Sequence, residues 1–177
     1  MSVAANRYAT ALVEVLSPDH IEMGFEQLQR FASLFVEQPD SRRFLENPSM
    51  AGERRNRLLG EITKAFGFDR RVTNFIGILA ERNRFPILED IIVEYQRLMD
   101  KQLGIVRPRV TTARVLEKAQ EEELARKLQR ITGKQVRMEV TIDPALIGGV
   151  VAQVGSTIYD GSVRQQLQAV KGRLVAD

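Results

Sequence analysis

The spacing of apolar residues changes period once, at Gly104, and that change limits the chain to a helical first part and a mixed second part. Before Gly104 the apolar residues recur every three or four positions. Val3–Leu16 places Tyr8, Ala11, Leu12 and Val15 on one helical face. Ser17-Pro18 is expected to end that helix and cap the next, which carries Ile21, Phe25, Leu28, Ala32 and Phe35. Pro39 and Pro48 bracket a short third helix holding Phe44 and Leu45. Ser49 caps a fourth with Leu58, Leu59, Ile62 and Phe66, closed by Gly67 as a left-handed cap. Asp69 caps a fifth bearing Val72, Phe75, Ile76, Leu79, Ala80 and Asn83. After Arg84-Phe85-Pro86, a sixth carries Leu88, Ile91, Ile92, Tyr95, Leu98 and Met99. Six short amphipathic helices with tight turns imply a bundle over residues 1–105.

Beyond Gly104, Val106, Pro108, Val110 and Thr112 alternate as a strand that Pro108 should confine to a sheet edge. A helix follows through Leu116, Ala119, Leu124 and Leu128 and ends at Thr132-Gly133. Val136, Met138, Val140 and Ile142 then alternate as a strand with one buried face. Two short strands, 150–154 and 157–159, turn at Gly155-Ser156. Ser162 and Gln165 form a capping-box pattern for a last helix with Val163, Leu167, Val170 and Leu174. The expected class is therefore α+β with two domains: the helical bundle, then a small α/β domain over residues 106–177. A core drawn from about 70 residues is marginal, so that half is expected to dock on something.

Composition excludes several kinds of chemistry. The chain has no Cys, so no disulfide or thiolate metal site holds it together. No apolar run approaches the ~20 residues that span a bilayer, and the first residues lack a signal-peptide pattern. Any meeting with a membrane is expected to run through a partner, without insertion. Of the net charge of +3, residues 1–105 carry −1 and residues 106–177 carry +4. A basic second half leaves nucleic acid or an acidic protein open as partners. Against nucleic acid, acidic residues interrupt the cations, as at Glu117-Lys118, and Tyr159 is the one aromatic available for stacking. Arg107, Arg109 and Arg137 make a thin patch.

The densest cluster of candidate chemistry is residues 142–164, IDPALIGGVVAQVGSTIYDGSVR. Asp143 and Asp160 are the candidates for acid–base work, yet Asp143-Pro144 and Asp160-Gly161 are favoured turn contexts. Gly148-Gly149 lacks the spacing of a dinucleotide loop and suits a tight strand entry. Gly133-Lys134 resembles the end of a phosphate loop, but Leu128 and Gln135 stand where Gly and a hydroxyl residue are needed. His20, the one histidine, lies in a polar turn. No catalytic, cofactor-binding or metal-ligating residue is assigned.

With bundle and C-terminal unit taken together, the chain resembles the delta subunit family of F-type ATP synthases, whose mitochondrial counterpart is the oligomycin sensitivity conferral protein (OSCP). The resemblance rests on Arg7-Tyr8-Ala9-x-Ala11-Leu12, on Asn74-Phe75-Ile76 with Leu79-Ala80-Glu81-Arg82-Asn83-Arg84, and on the C-terminal segment. In that segment, Asp143, Gly148, Gly149, Asp160, Gly161 and Ser162 are structural members of the family signature. The resemblance implies a non-catalytic stator subunit. Its helical domain would grip the N-terminal helix of an alpha subunit in a groove between helices one and five. Its C-terminal domain would bind the C-terminal ends of b-type stalk subunits. The head would then stay still while the rotor turns. It also implies a peripheral place on the cytoplasmic face of a bacterial inner membrane, or on a thylakoid or mitochondrial membrane if the chain is organellar. The groove residues so implied are Tyr8, Ala11, Leu12 and Val15 facing Phe75, Ile76, Leu79, Ala80 and Asn83, with bundle core as the alternative for each. Two other functions stay open: a nucleic-acid adaptor working through the basic half, and a hydrolase using Asp143 and Asp160.

Overall fold

A computed structural model describes residues 2–37, 52–165 and 167–168. The short helix expected around Phe44 and Leu45, the Ser49 cap, the Phe35 side chain and the positions of Val170 and Leu174 lie outside the described residues. The chain divides into two compact units, Met1–Asp100 and Lys101–Asp177. Its mixture of helix and sheet agrees with the α+β class.

The first unit holds α1 (Val3–Leu16), α2 (Ile21–Glu37), α3 (Gly52–Ala65), α4 (Arg70–Glu81), a 3-10 turn (Phe85–Ile87) and all but the last turn of α5 (Leu88–Leu103). On α1 the buried stripe is Ala5, Ala9, Leu12, Val13 and Leu16. The small Ala5 and Ala9 let α1 lie close against its neighbours. The core continues through Ile21, Leu28 and Phe31 of α2, Val72, Ile76 and Leu79 of α4, and Ile91, Tyr95 and Met99 of α5. Each large side chain buried in this way contributes about 1.5–3 kcal/mol. Tyr95 stacks on Phe25 at 6.2 Å, and its hydroxyl donates to the Ile21 carbonyl at 2.9 Å, so the buried phenol keeps a partner. Burial pushes its pKa up.

Helix α2 begins at Ile21, later than Ser17-Pro18 suggests. Ser17 takes extended backbone, as a residue before proline prefers, and residues 17–20 form a turn instead of a first helical turn. At α4 the expected cap is in place. Asp69 Oδ1 accepts from the Arg71 amide at 2.8 Å and from Arg71 Nε at 3.0 Å. These bonds from the Arg71 side chain and amide hold the Asp69 carboxyl down at about 2. Gly67 closes α3 with a φ of 66°.

In the second unit, β1 (Ile105–Val106) pairs in parallel with β3 (Gln135–Val136). β2 (Arg109–Thr112), β4 (Glu139–Ile142), β5 (Val150–Val154) and β6 (Thr157–Asp160) form a sheet in the order β4-β2-β5-β6. Helix α6 (Lys118–Thr132) connects the parallel β2 and β4, as such a crossover requires. A capping box between Glu117 and Gln120 opens α6, and Gly133, with a φ of 65°, closes it. The phosphate-loop resemblance of Gly133-Lys134 is therefore helix-capping geometry.

Two strand expectations are corrected. β2 is a central strand, paired with β4 on one side and β5 on the other. Pro108 does not push it to the edge; lacking an N–H, it splits the alternating segment into β1 and β2. Likewise 136–142 is two strands, and its apolar face is only partly covered: Val140 and Ile142 stay exposed. The cause is the small core. Val110, Leu128 and Ala152 are its buried members, with Leu124, Val136, Met138, Val150 and Val154 half-buried around them.

Candidate functional site

Among the nine groove residues expected, the structure separates interior from surface. Leu12, Phe75, Ile76, Leu79 and Ala80 are buried in the bundle. Tyr8 is half-buried, whereas Ala11, Val15 and Asn83 reach the surface. Tyr8 sits between the two classes, its ring meeting Phe75 edge-on at 6.3 Å and 74°.

A trough of about 450 Å³ runs between α1 and the C-terminal part of α4. Ala4, Tyr8 and Ala11 line it from α1, and Ile78 from α4. Ala4, Tyr8, Ala11 and Val15 follow one another at helical spacing, on a stripe separate from the buried one. This second stripe sets the small Ala4 and Ala11 around Tyr8 and ends at Val15, 56% exposed; across the trough, Ile78 of α4 is 46% exposed. An amphipathic helix buries one apolar stripe; α1 has two, and the bundle covers one.

Arg7, Arg82 and Arg84 complete the lining of the trough. The last two stand on the turn that ends α4, where Asn83 takes a φ of 51°. Arg55 of α3, 6% exposed, holds that turn: its Nη1 donates to the Ala80 carbonyl at 2.8 Å and to Asn83 Oδ1 at 3.0 Å. The guanidinium thus adds a second donor to the Ala80 carbonyl, which also accepts from the Asn83 amide at 3.1 Å. On the other side of α1, Asn6 Nδ2 donates to Glu94 Oε2 at 3.3 Å and Arg97 Nε to the same oxygen at 2.8 Å, joining α1 to α5. Arg97 is the chief cause that holds the Glu94 carboxyl below its ordinary range.

Sequence reasoning did not place Arg7, Ile78, Arg82 or Arg84 in the groove. A signal for Ile78 was present: it is a large apolar residue off the Val72, Phe75, Ile76 and Leu79 face of its helix.

In the second unit, residues 142–164 form an interlocked scaffold. Asp143 Oδ1 accepts from the Ala145 amide at 2.9 Å and Asp160 Oδ1 from the Ser162 amide at 2.8 Å, both turn bonds. Ser162, through its hydroxyl and then its amide, holds the Asp160 carboxyl below the usual range, with Arg164 adding to the effect. A carboxylate held that way is an ionised turn acceptor, not an acid poised near neutral pH. Ser162 Oγ accepts from the Gln165 amide at 3.2 Å, starting a helical turn. Gly149 has a φ of 84°, and a Cβ there would meet the Gly161 carbonyl and come within 2.8 Å of Ser162 Cα. The backbone bonds Gly161 N to Val150 O, at 2.9 Å, and Val163 N to Gly148 O, at 3.0 Å, close the unit. His20 lies exposed in the turn before α2, its amide donating to the Leu16 carbonyl at 3.0 Å.

Comparison with known proteins gives a consistent result. A family model described as ATP synthase delta (OSCP) subunit matches residues 4–174. The ATP synthase subunit delta of Anaeromyxobacter dehalogenans strain 2CP-1 is 34% identical over 175 residues, 98% of each chain. That of Geobacter sp. strain M21 is 34% identical over 168 residues, 94% of this chain and 93% of its own. In fold, the chain is similar to one in the mitochondrial ATP synthase hexamer of Toxoplasma gondii, with a TM-score of 0.67 at 21% identity, covering 100% of this chain and 99% of that one.

Proposed function

The chain belongs to the ATP synthase delta (OSCP) family, and on that premise we propose that its first unit docks an amphipathic helix of the catalytic head in the trough between α1 and α4. As a family member it is a peripheral-stalk subunit of an F-type ATP synthase, structural and not catalytic, and peripheral to the membrane. No described helix is long and apolar enough to cross one.

The occupant is the N-terminal helix of an alpha subunit. The second unit, residues 106–177 as its extent was drawn from the sequence, binds the C-terminal ends of the b-type stalk subunits. The complex holds the head against rotor torque on the cytoplasmic face of the membrane. The observation that carries this reading is the second apolar stripe of α1, whose Ala4, Tyr8 and Ala11 line the open trough with Ile78. Small residues allow a third helix to approach closely, and helix-in-groove docking needs anchors at this spacing. For the second unit, support comes from the incompletely covered sheet, where Val140, Ile142 and Tyr159 stay exposed. No observation favours the nucleic-acid adaptor reading.

A joint that must hold between turnovers needs a Kd on the order of 1 nM, about −12 kcal/mol. Titration calorimetry of the full chain with a peptide copying the first ~20 residues of the organism's alpha subunit is expected to give saturable binding and a negative heat-capacity change. Absence of binding at ~10 µM peptide, about 5 kcal/mol short of the requirement, would defeat the proposal.

A further inference from the structure

We infer that the trough selects a helix bearing carboxylates beside its apolar stripe, recognised by the guanidinium groups of Arg7, Arg82 and Arg84. The inference rests on the docking reading above and states the chemistry of the occupant.

Cations stand on both banks of the trough, Arg7 on α1 and Arg82 and Arg84 at the end of α4, with Ala11 and Ile78 in its lining. All three arginines are exposed, and none forms an ion pair among the described residues. No carboxylate lines the trough. The acidic residue next to Arg82, Glu81, has a partner on α3, accepting from Asn56 Nδ2 at 3.3 Å. Two other arginines of this unit are ion-paired, Arg71 with Asp69 at 3.0 Å and Arg97 with Glu94 at 2.8 Å. The trough is therefore a local surplus of positive charge around an apolar strip, in a unit whose sequence is close to neutral.

The α4 bank is also held in place. The Arg84 amide donates to the Leu79 carbonyl at 2.7 Å, the Arg82 amide to Ile78 at 3.0 Å, and Arg55 clamps Asn83 between them. Two guanidiniums on a fixed turn lose less freedom on binding than two on a mobile loop. Each presents a planar fork that suits a carboxylate. A helix lying with its apolar stripe on Ala4, Tyr8, Ala11 and Ile78 brings its flanking positions against both banks. Carboxylates there are attracted, and Lys or Arg there is repelled, so the rim discriminates between helices of equal hydrophobicity.

The test measures Kd of the full chain for the alpha-subunit peptide and for the same peptide with every Asp and Glu changed to Asn and Gln. Binding of the native peptide is expected to weaken about tenfold between 50 and 500 mM NaCl, as rim charges are screened. The double variant R82E/R84E, with its melting temperature unchanged, is expected to weaken it at least tenfold at 50 mM, and R7E to act in the same direction from the other bank. The neutralised peptide is expected to bind wild type about tenfold more weakly and to be indifferent to R82E/R84E. Equal affinity at both salt concentrations and in all three proteins would overturn the inference while leaving groove docking intact. No binding of either peptide to wild type would bring down the docking reading and this inference together.

Discussion

Arg55 Nη1 donates to Asn83 Oδ1 at 3.0 Å, tying the interior of α3 to the left-handed residue that ends α4. Replacement by Met strips the turn of this donor and leaves the Ala80 carbonyl without its 2.8 Å bond. R55M is expected to lower stability by about 2–3 kcal/mol, read as a lower urea midpoint at unchanged m. Because the same turn carries Arg82 and Arg84, the variant is also expected to bind the alpha-subunit peptide more weakly at temperatures where it is fully folded.

The two alanines nominated for the groove are expected to behave oppositely. Ala11 is exposed in the trough, whereas Ala80 is 0% exposed in the core. A11W is expected to keep the melting temperature within a few degrees and to abolish peptide binding. A80W overpacks the interior and is expected to cost about 3 kcal/mol or to unfold the unit, as circular dichroism melts would show. A stable A80W that blocks binding would move the groove to the other face of α4.

Asp69 makes a pH-dependent contribution whose sign follows from its lowered pKa. The carboxyl titrates at about 2 in the folded chain, against ~3.9 unfolded. Its stabilisation is thus fully present above the unfolded value and is lost as pH falls through the folded one. D69A is expected to cost about 1 kcal/mol at pH 7 through loss of the cap. Its stability should also fall less steeply than wild type's between about pH 4 and pH 2. Parallel curves would show that the Asp69–Arg71 pair contributes nothing.

Gly24 and Gly149 are expected to be intolerant for different reasons. A Cβ on Gly24 would collide with Leu16 Cδ1 and lie 2.7 Å from the Tyr95 hydroxyl, so G24A is expected to cost about 1–3 kcal/mol in the first unit. At Gly149 the obstacle is backbone, the Gly161 carbonyl, joined to a φ of 84°. G149A is expected to cost about 3 kcal/mol, most of what a small unit has, and to show as selective loss of amide protection in β5 and β6.

Most of the helical pattern was legible because period and caps are local. Asp69, Gly67 and Gly133 did what their neighbours in sequence imply, and Ser162 makes one of the two bonds of the capping box expected with Gln165. Pro108 was misleading, since its missing N–H demands a break in the ladder, and either an edge strand or two short strands meets that demand. The candidate groove was half legible. Helical spacing groups Tyr8, Ala11, Leu12 and Val15, yet neighbouring positions on one arc divide between core and solvent, and the dividing line depends on the helix packed alongside.

The sequence by itself determined the helices, the switch of period at Gly104 and the turn chemistry of residues 142–164, because each depends on residues within a few positions of one another. The tertiary structure alone decided which stripe of α1 is covered and that β2 is central. It also decided that Arg7 of α1 and Arg82 and Arg84 beyond α4 line one trough. Those facts depend on which distant elements become neighbours, a choice made by the total burial of the packed unit and written in no single stretch of residues.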